Sequence, residues 1–133
     1  MKTTFKLVAF LLTITLLSCN ANLNLNDGVE GSGNVITEKR TINESFDKIS
    51  ASTGVTVIVE QGSPNDVEVE TDDNLMQYVI TKVENGTLIV KIEGNINTMS
   101  SIDVRVRMSS IVGLESTSGS RITSKNTLKG STI

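Results

Sequence analysis

The sequence predicts an all-β protein. Three observations carry that prediction: a β-branched composition, apolar residues alternating at period two, and an Asn-Gly pair between two such runs. From Cys19 onward there are 13 Val, 12 Ile, 12 Thr and 14 Ser, but only two Ala and six Leu. β-Branched side chains suit the pleated, half-buried surface of a strand, whereas Ala and Leu favour helices.

The N-terminus is read apart from the fold. Lys2 and Lys6 precede an uncharged apolar run, Leu7–Leu17. As a helix, its eleven residues reach roughly 16 Å at ~1.5 Å each, short of a ~30 Å bilayer core. A positive start, a short apolar run and a small residue at Ser18 make a secretory signal. Leu16-Leu17-Ser18-Cys19 resembles the lipobox of bacterial lipoproteins. That resemblance implies cleavage after Ser18 and acylation of Cys19, the only cysteine in the chain. The expected organisation is a signal peptide over residues 1–18, a lipidated N-terminus and flexible tether over 19–33, and an all-β domain over 34–133. Asn20–Gly33 has the Asn and Gly content of a tether. Leu23 and Leu25 also suit the start of a first strand.

The strands follow in order. Val55, Val57 and Val59 share one face, as do Val67 and Val69. Ile102, Val104, Val106 and Met108 point one way, and Asp103, Arg105 and Arg107 the other. Gly62-Ser-Pro-Asn-Asp66 is a turn. Asn85-Gly86 separates Thr81–Glu84 from Thr87–Ile92. Both residues tolerate the positive φ of a type I′ turn, so a hairpin is expected. At most one short helix is expected, near 73–80, with Asp72 or Asp73 capping Asn74–Ile80.

The C-terminal third is richer in Ser, Thr and Gly. Leu114, Gly119 and Ile122 repeat the spacing of Ile49, Gly54 and Val57, with hydroxyl residues between them in both places. Short strands at such spacing suit β-solenoid-like coils that stack on one another. Ordinary Ser/Thr-rich β-sequence is the competing reading.

Composition removes several function classes. No histidine is present, which excludes Ser–His–Asp catalysis and His-ligated zinc or haem within this chain. A single cysteine excludes an internal disulfide. The net charge of −3 gives no footprint for nucleic acid. No cofactor is expected.

At family level, Gly31-Ser-Gly-Asn-Val35, Arg40 and Phe46-Asp-Lys-Ile49 resemble the opening of the putative auto-transporter adhesin, head GIN domain family. The match continues through Gly54-Val-Thr-Val57, Gln61-Gly62, Val67–Glu70, Asp73-Asn-Leu75, Asn85-Gly-Thr-Leu88 and Leu114–Gly119. The resemblance implies an all-β, solenoid-like envelope protein, often lipid-anchored in the outer membrane, with no catalytic residues. Family domains continue through further coils, so the stop at Leu128–Ile133 reads as a C-terminally truncated product or a fragment.

Other candidates for chemistry are weighed against plainer roles. Asp72-Asp73-Asn74 offers oxygens, but calcium takes about six to eight, and capping with surface charge explains the cluster. Glu68 and Glu70 lie on one strand face, roughly 7 Å apart along the backbone, a spacing an inverting glycosidase accepts. Asp103, Arg105 and Arg107 form an outward row of the kind β-helical polysaccharide enzymes use. A solvated strand face accounts equally for both sets. The sequence therefore points to a non-enzymatic binding or adhesion head. Its expected partners are the membrane, through lipid on Cys19, and a surface glycan or protein ligand. The alternatives are a structural or stress-related periplasmic lipoprotein and a polysaccharide-acting enzyme.

Overall fold

The structure, a computed structural model, describes residues 28–98 and 101–130. The strands among these residues are β1 (Val29–Glu30), β2 (Val35–Arg40), β3 (Lys48–Ala51), β4 (Thr56–Gln61), β5 (Asp66–Asp72), β6 (Val79–Glu84), β7 (Thr87–Ile92), β8 (Ile96–Thr98), β9 (Asp103–Met108), β10 (Gly113–Ser116) and β11 (Arg121–Ser124). They form a four-stranded sheet in the order β10-β3-β7-β6, a five-stranded sheet in the order β11-β4-β9-β5-β2, and the small pair β1-β8. The two large sheets therefore advance in matched rungs: β10 with β11, β3 with β4, β7 with β9, and β6 with β5.

Alternation decides which faces meet. Ile49, Ala51, Leu88, Val90 and Ile92 from the first sheet share one core with Val57, Val59, Val67, Val69, Val104, Val106 and Met108 from the second. In β9 the residues alternate between half-buried and buried along its whole length, with Arg105 and Arg107 on the outer side. Burying one such Val or Leu side chain contributes about 1.5–3 kcal/mol, and these residues oppose the entropy of ordering the strands.

The spacing echo in the sequence is a register. Leu114 pairs with Ile49 in parallel β10-β3, and Ile122 pairs with Val57 in parallel β11-β4. Ile49 in turn pairs with Leu88, and Val57 with Val104. Two apolar columns thus run through three rungs. The corners joining the strands are alike as well. Thr53 and Gly54 have φ of 64° and 74°, and Ser118 and Gly119 have φ of 51° and 76°. The Gly54 amide donates to the Ser118 carbonyl at 3.1 Å.

The stacking does not extend into a regular solenoid among the described residues, and the sheets do not close into a barrel. Solenoid coils pair in parallel throughout. Here β6 runs antiparallel to β7, β5 antiparallel to β9, and β2 antiparallel to β5. The Asn85-Gly86 turn forms the expected hairpin, with φ of 50° and 76°.

The expected helix shrinks to one 3₁₀ turn, Met76–Tyr78, without a side-chain cap. Val79 and Ile80 instead begin β6 opposite Ile92 and Lys91. β-Branched residues offered a ladder partner leave the helix, and tertiary pairing outweighs local capping. Leu75, Met76 and Val79 are all buried nonetheless.

The lead-in is fastened beside this turn. Val29 and Glu30, within the segment expected to be a tether, pair with β8. The Asn97 side-chain amide donates to the Gly28 carbonyl at 3.3 Å. Gly31 lies directly on buried Asp72, and a Cβ added there would run into Oδ2. The expected signal peptide, Cys19, Leu23 and Leu25 lie outside the described residues.

Candidate functional site

The outer face of the five-stranded sheet collects most of the residues singled out in the sequence. Cross-strand register sets them in rows. Glu60 and Asp66 flank Arg107. Glu68 lies between Arg105 and Lys39. Glu70 lies between Asp103 and Thr37. Asp103 and Glu70 are therefore like charges directly opposed, a destabilising arrangement in a sheet.

A diagonal contact relieves it. Arg105 reaches one row over and donates twice to Glu70, Nη1 to Oε2 at 3.3 Å and Nη2 to Oε1 at 3.2 Å. The Thr37 hydroxyl adds a third bond to Glu70 at 3.3 Å. These bonds and the Arg105 charge hold the Glu70 carboxyl below its usual range, and Glu70 raises Arg105 in return. A glycosidase general acid needs the opposite shift, a carboxyl kept protonated near neutrality. Glu70 stays ionised.

The remaining charges pair similarly. Lys39 Nζ lies 2.9 Å from Asp66, Arg107 lies 3.8 Å from Glu60, and Lys125 lies 3.9 Å from Glu60. Hydrogen bonding to Asp66, followed by its charge, raises Lys39. Between them is a cavity of about 310 Å³ lined by Ile58, Glu60, Glu68, Arg105 and Arg107. It is a half-open groove in a mostly neutralised face. Such a surface presents fixed donors and acceptors to a broad polar partner.

Asp72, Asp73 and Asn74 divide their roles. Asp72 is buried. Asp73 accepts from the Ser32 hydroxyl, from the Asn34 side-chain amide at 3.0 Å and from the Asn74 backbone amide at 2.7 Å. Those bonds lower its pKa, with Ser32 contributing most. Asn74 Oδ1 accepts from Ser32 N at 2.9 Å, and its Nδ2 donates to the Glu30 carbonyl at 2.7 Å. The cluster clasps the lead-in strand. Among the described residues no group of three or more His, Cys, Asp or Glu is placed to hold a metal ion.

The hydroxyl-rich corners are partly consumed within the fold. Ser120 Oγ donates to the carbonyls of Ala51 and Thr117 at 2.8 and 2.6 Å, and Ser116 Oγ donates to the Ser120 carbonyl at 2.8 Å. Thr53, Thr117 and Ser118 stay exposed.

One feature escaped the sequence reading. At the β10 end, an apolar cavity of about 370 Å³ opens between Ile111–Leu114 and Leu128–Gly130. The returning segment is held by two amide side chains acting as backbone. Asn126 exchanges two bonds with the Gln61 main chain, both 3.0 Å. The Gln61 side chain exchanges two with the Lys129 main chain, at 2.7 and 2.9 Å. The signal available in sequence was the offset itself, which places Asn126 on Gln61 once Leu114 is set on Ile49.

The sequence pattern of the putative auto-transporter adhesin, head GIN domain family matches residues 45–133. The chain belongs to that family. Proteins of known structure share the fold. A putative adhesin from Parabacteroides merdae superposes with a TM-score of 0.66 at 24% identity, over 74% of this chain and 42% of that one. A putative adhesin from Bacteroides fragilis gives 0.68 at 18% identity, over 74% and 47%. A protein from Parabacteroides distasonis described as a putative lipid binding protein gives 0.64 at 20% identity, over 72% and 43%. This chain thus spans less than half the length of each. Among curated proteins none matches. Adhesin-like head domains suggest an exported, envelope protein, and among the described residues no helix is long and apolar enough to cross a membrane.

Proposed function

We propose that this head GIN protein is a lipid-anchored cell-envelope component, held in an outer membrane by acyl chains on Cys19, and acts as a non-enzymatic binding head of adhesion type. The observation that carries the reading is the outer face of the five-stranded sheet, where Arg105 and Glu70 lock each other in the ionised state. A face so committed supplies polar contacts rather than a proton donor. Affinity then comes from many weak contacts and from display of many copies, since multivalency multiplies modest individual affinities. The ligand on this reading is a surface glycan or a protein. We also read the β3-β4 and β10-β11 rungs as the start of solenoid-like coils, in which each corner repeats the last.

Two measurements test this. Cys19→Ala should lose detergent-phase partitioning, since stable anchoring needs acyl chains that the variant lacks. Unchanged partitioning overturns the anchor. Protease shaving of intact cells should remove the head domain if it faces outward; full protection overturns the adhesion role. Turnover of an acidic glycan that disappears in Glu68→Ala or Arg105→Ala overturns the non-enzymatic reading.

A further inference from the structure

Both cations beside Glu68 turn away from it. Across the ladder Glu68 faces Arg105 on β9 and Lys39 on β2. Arg105 reaches one row over to Glu70 at 3.2 Å, and Lys39 one row the other way to Asp66 at 2.9 Å. Among the described residues Glu68 is left with no hydrogen bond and no ion pair. The same exchange strands Arg107. Its cross-strand partners are Glu60 and Asp66. Lys39 holds Asp66, and Glu60 lies 3.8 Å from Arg107, beyond hydrogen-bond reach. One carboxylate and one guanidinium, a row apart on adjacent strands, therefore keep their bonding capacity. Both line the 310 Å³ groove, together with half-buried Ile58. The strands that carry them, β4, β9 and β5, each have a neighbour on both sides, so the groove lies within the sheet rather than at an edge.

We propose that this groove is a saccharide subsite for one neutral hexopyranose unit, a proposal that rests on the binding-head reading and names its ligand. Glu68 can only accept hydrogen bonds and Arg107 can only donate them. A hydroxyl does both, and adjacent hydroxyls on one ring serve the two groups together. Ile58 offers an apolar floor to the ring's C–H groups. Charge argues against an ionic ligand. The groove lining sets three carboxylates, Glu60, Asp66 and Glu68, against three cations, Arg105, Arg107 and Lys125. The charges of Arg105 and Lys39 still act on Glu68 through space, so a ligand cation gains little there. An extended peptide docks by adding to a sheet edge, and the main chain under this groove is already paired on both sides.

Isoleucine-methyl NMR of the full chain in a polyoxyethylene detergent, which carries no sugar, tests the proposal. The probes are methyl α-mannopyranoside, methyl β-glucopyranoside and methyl β-galactopyranoside. At least one should shift the Ile58 methyl, with a dissociation constant on the order of a millimolar. Glu68→Gln and Arg107→Gln should each weaken that binding by about tenfold. Glu84→Gln, on the other sheet, should leave it unchanged. Three probes without an Ile58 shift, or a shift that neither groove variant weakens, would overturn the subsite. So would a stronger response to glucuronate, glucosamine or tetraglycine than to the neutral pyranosides. Those results leave the binding-head reading intact. Conversely, a pyranoside shift at Ile58 with full protection from protease on intact cells supports the subsite and removes the adhesion role.

Discussion

Leu114 lies beside Ile49 on the neighbouring parallel strand, yet Ile49 is almost fully enclosed and Leu114 is 40% exposed. The same column position thus has two energetic values, depending on whether a strand lies on each side. Ile49→Ala should cost about 2–5 kcal/mol, and Leu114→Ala less than about 1 kcal/mol, read from urea unfolding of the monomer. Equal costs would show that the end of the column is enclosed.

The period-two strand β9 makes a sharper contrast. Val104 and Val106 are buried among both sheets, and Arg105 lies between them on the outside. Val104→Ala or Val106→Ala should lower stability by about 1–3 kcal/mol. Arg105→Ala should cost no more than about 1 kcal/mol, since its side chain is 41% exposed and its pair with Glu70 is largely solvated. Denaturant midpoints at constant m separate the two classes.

Gly31 is the narrowest position of the lead-in. Any Cβ there meets the carboxylate of buried Asp72, so Gly31→Ala must lift the strand or move that carboxyl. Overpacking of this kind costs about 1–3 kcal/mol. Hydrogen exchange should quicken at Val29, whose amide donates to Asn95, while β9 amides stay protected. Loss of protection in both would make the clasp part of the global fold.

Acid should open the same clasp. Asp73 is held below its usual 3.8 by Ser32, Asn34 and the Asn74 amide. A carboxyl lowered in the folded state contributes above its unfolded pKa, and the contribution is lost as pH falls through the lower folded value. The protection factor of the Ser32 amide, which donates to Asn74, should be constant near neutrality and fall only in acid below 3.8. Asp73→Asn should flatten that fall.

Much of this arrangement is visible in sequence, for a physical reason. Val104 and Arg105 announce their faces because a strand alternates, and Asn85-Gly86 announces its turn because few other residues accept both positive φ values. The matched offsets of Ile49 and Leu114 encoded a parallel register directly. What sequence hides is pairing at a distance. The Arg105–Glu70 contact depends on β9 and β5 lying side by side, and the burial of Asp72 depends on Gly31 arriving from another segment. β2 was silent because Val35–Lys39 are exposed on both faces, leaving no alternation to read. Val79 reads as helix in sequence because its spacing from the buried Leu75 and Met76 fits a helix face, while its strand partner Ile92 lies far along the chain.

The lead-in and the β10-β11 rung stand at opposite ends of the stack, and this sets how the molecule carries force. Gly31 is fastened beside Asp72 and Leu75, whereas β10 and β11 end the sheets on the far side. A pull between those ends runs across the strands, along their hydrogen bonds. Bonds loaded in that direction break in sequence, rung after rung, instead of sharing the load in shear. The four-residue strands β10 and β11 yield first, and the β7-β9 and β6-β5 rungs hold longer. Loaded between the lead-in and the β10-β11 rung, the described residues give way by peeling rather than in shear.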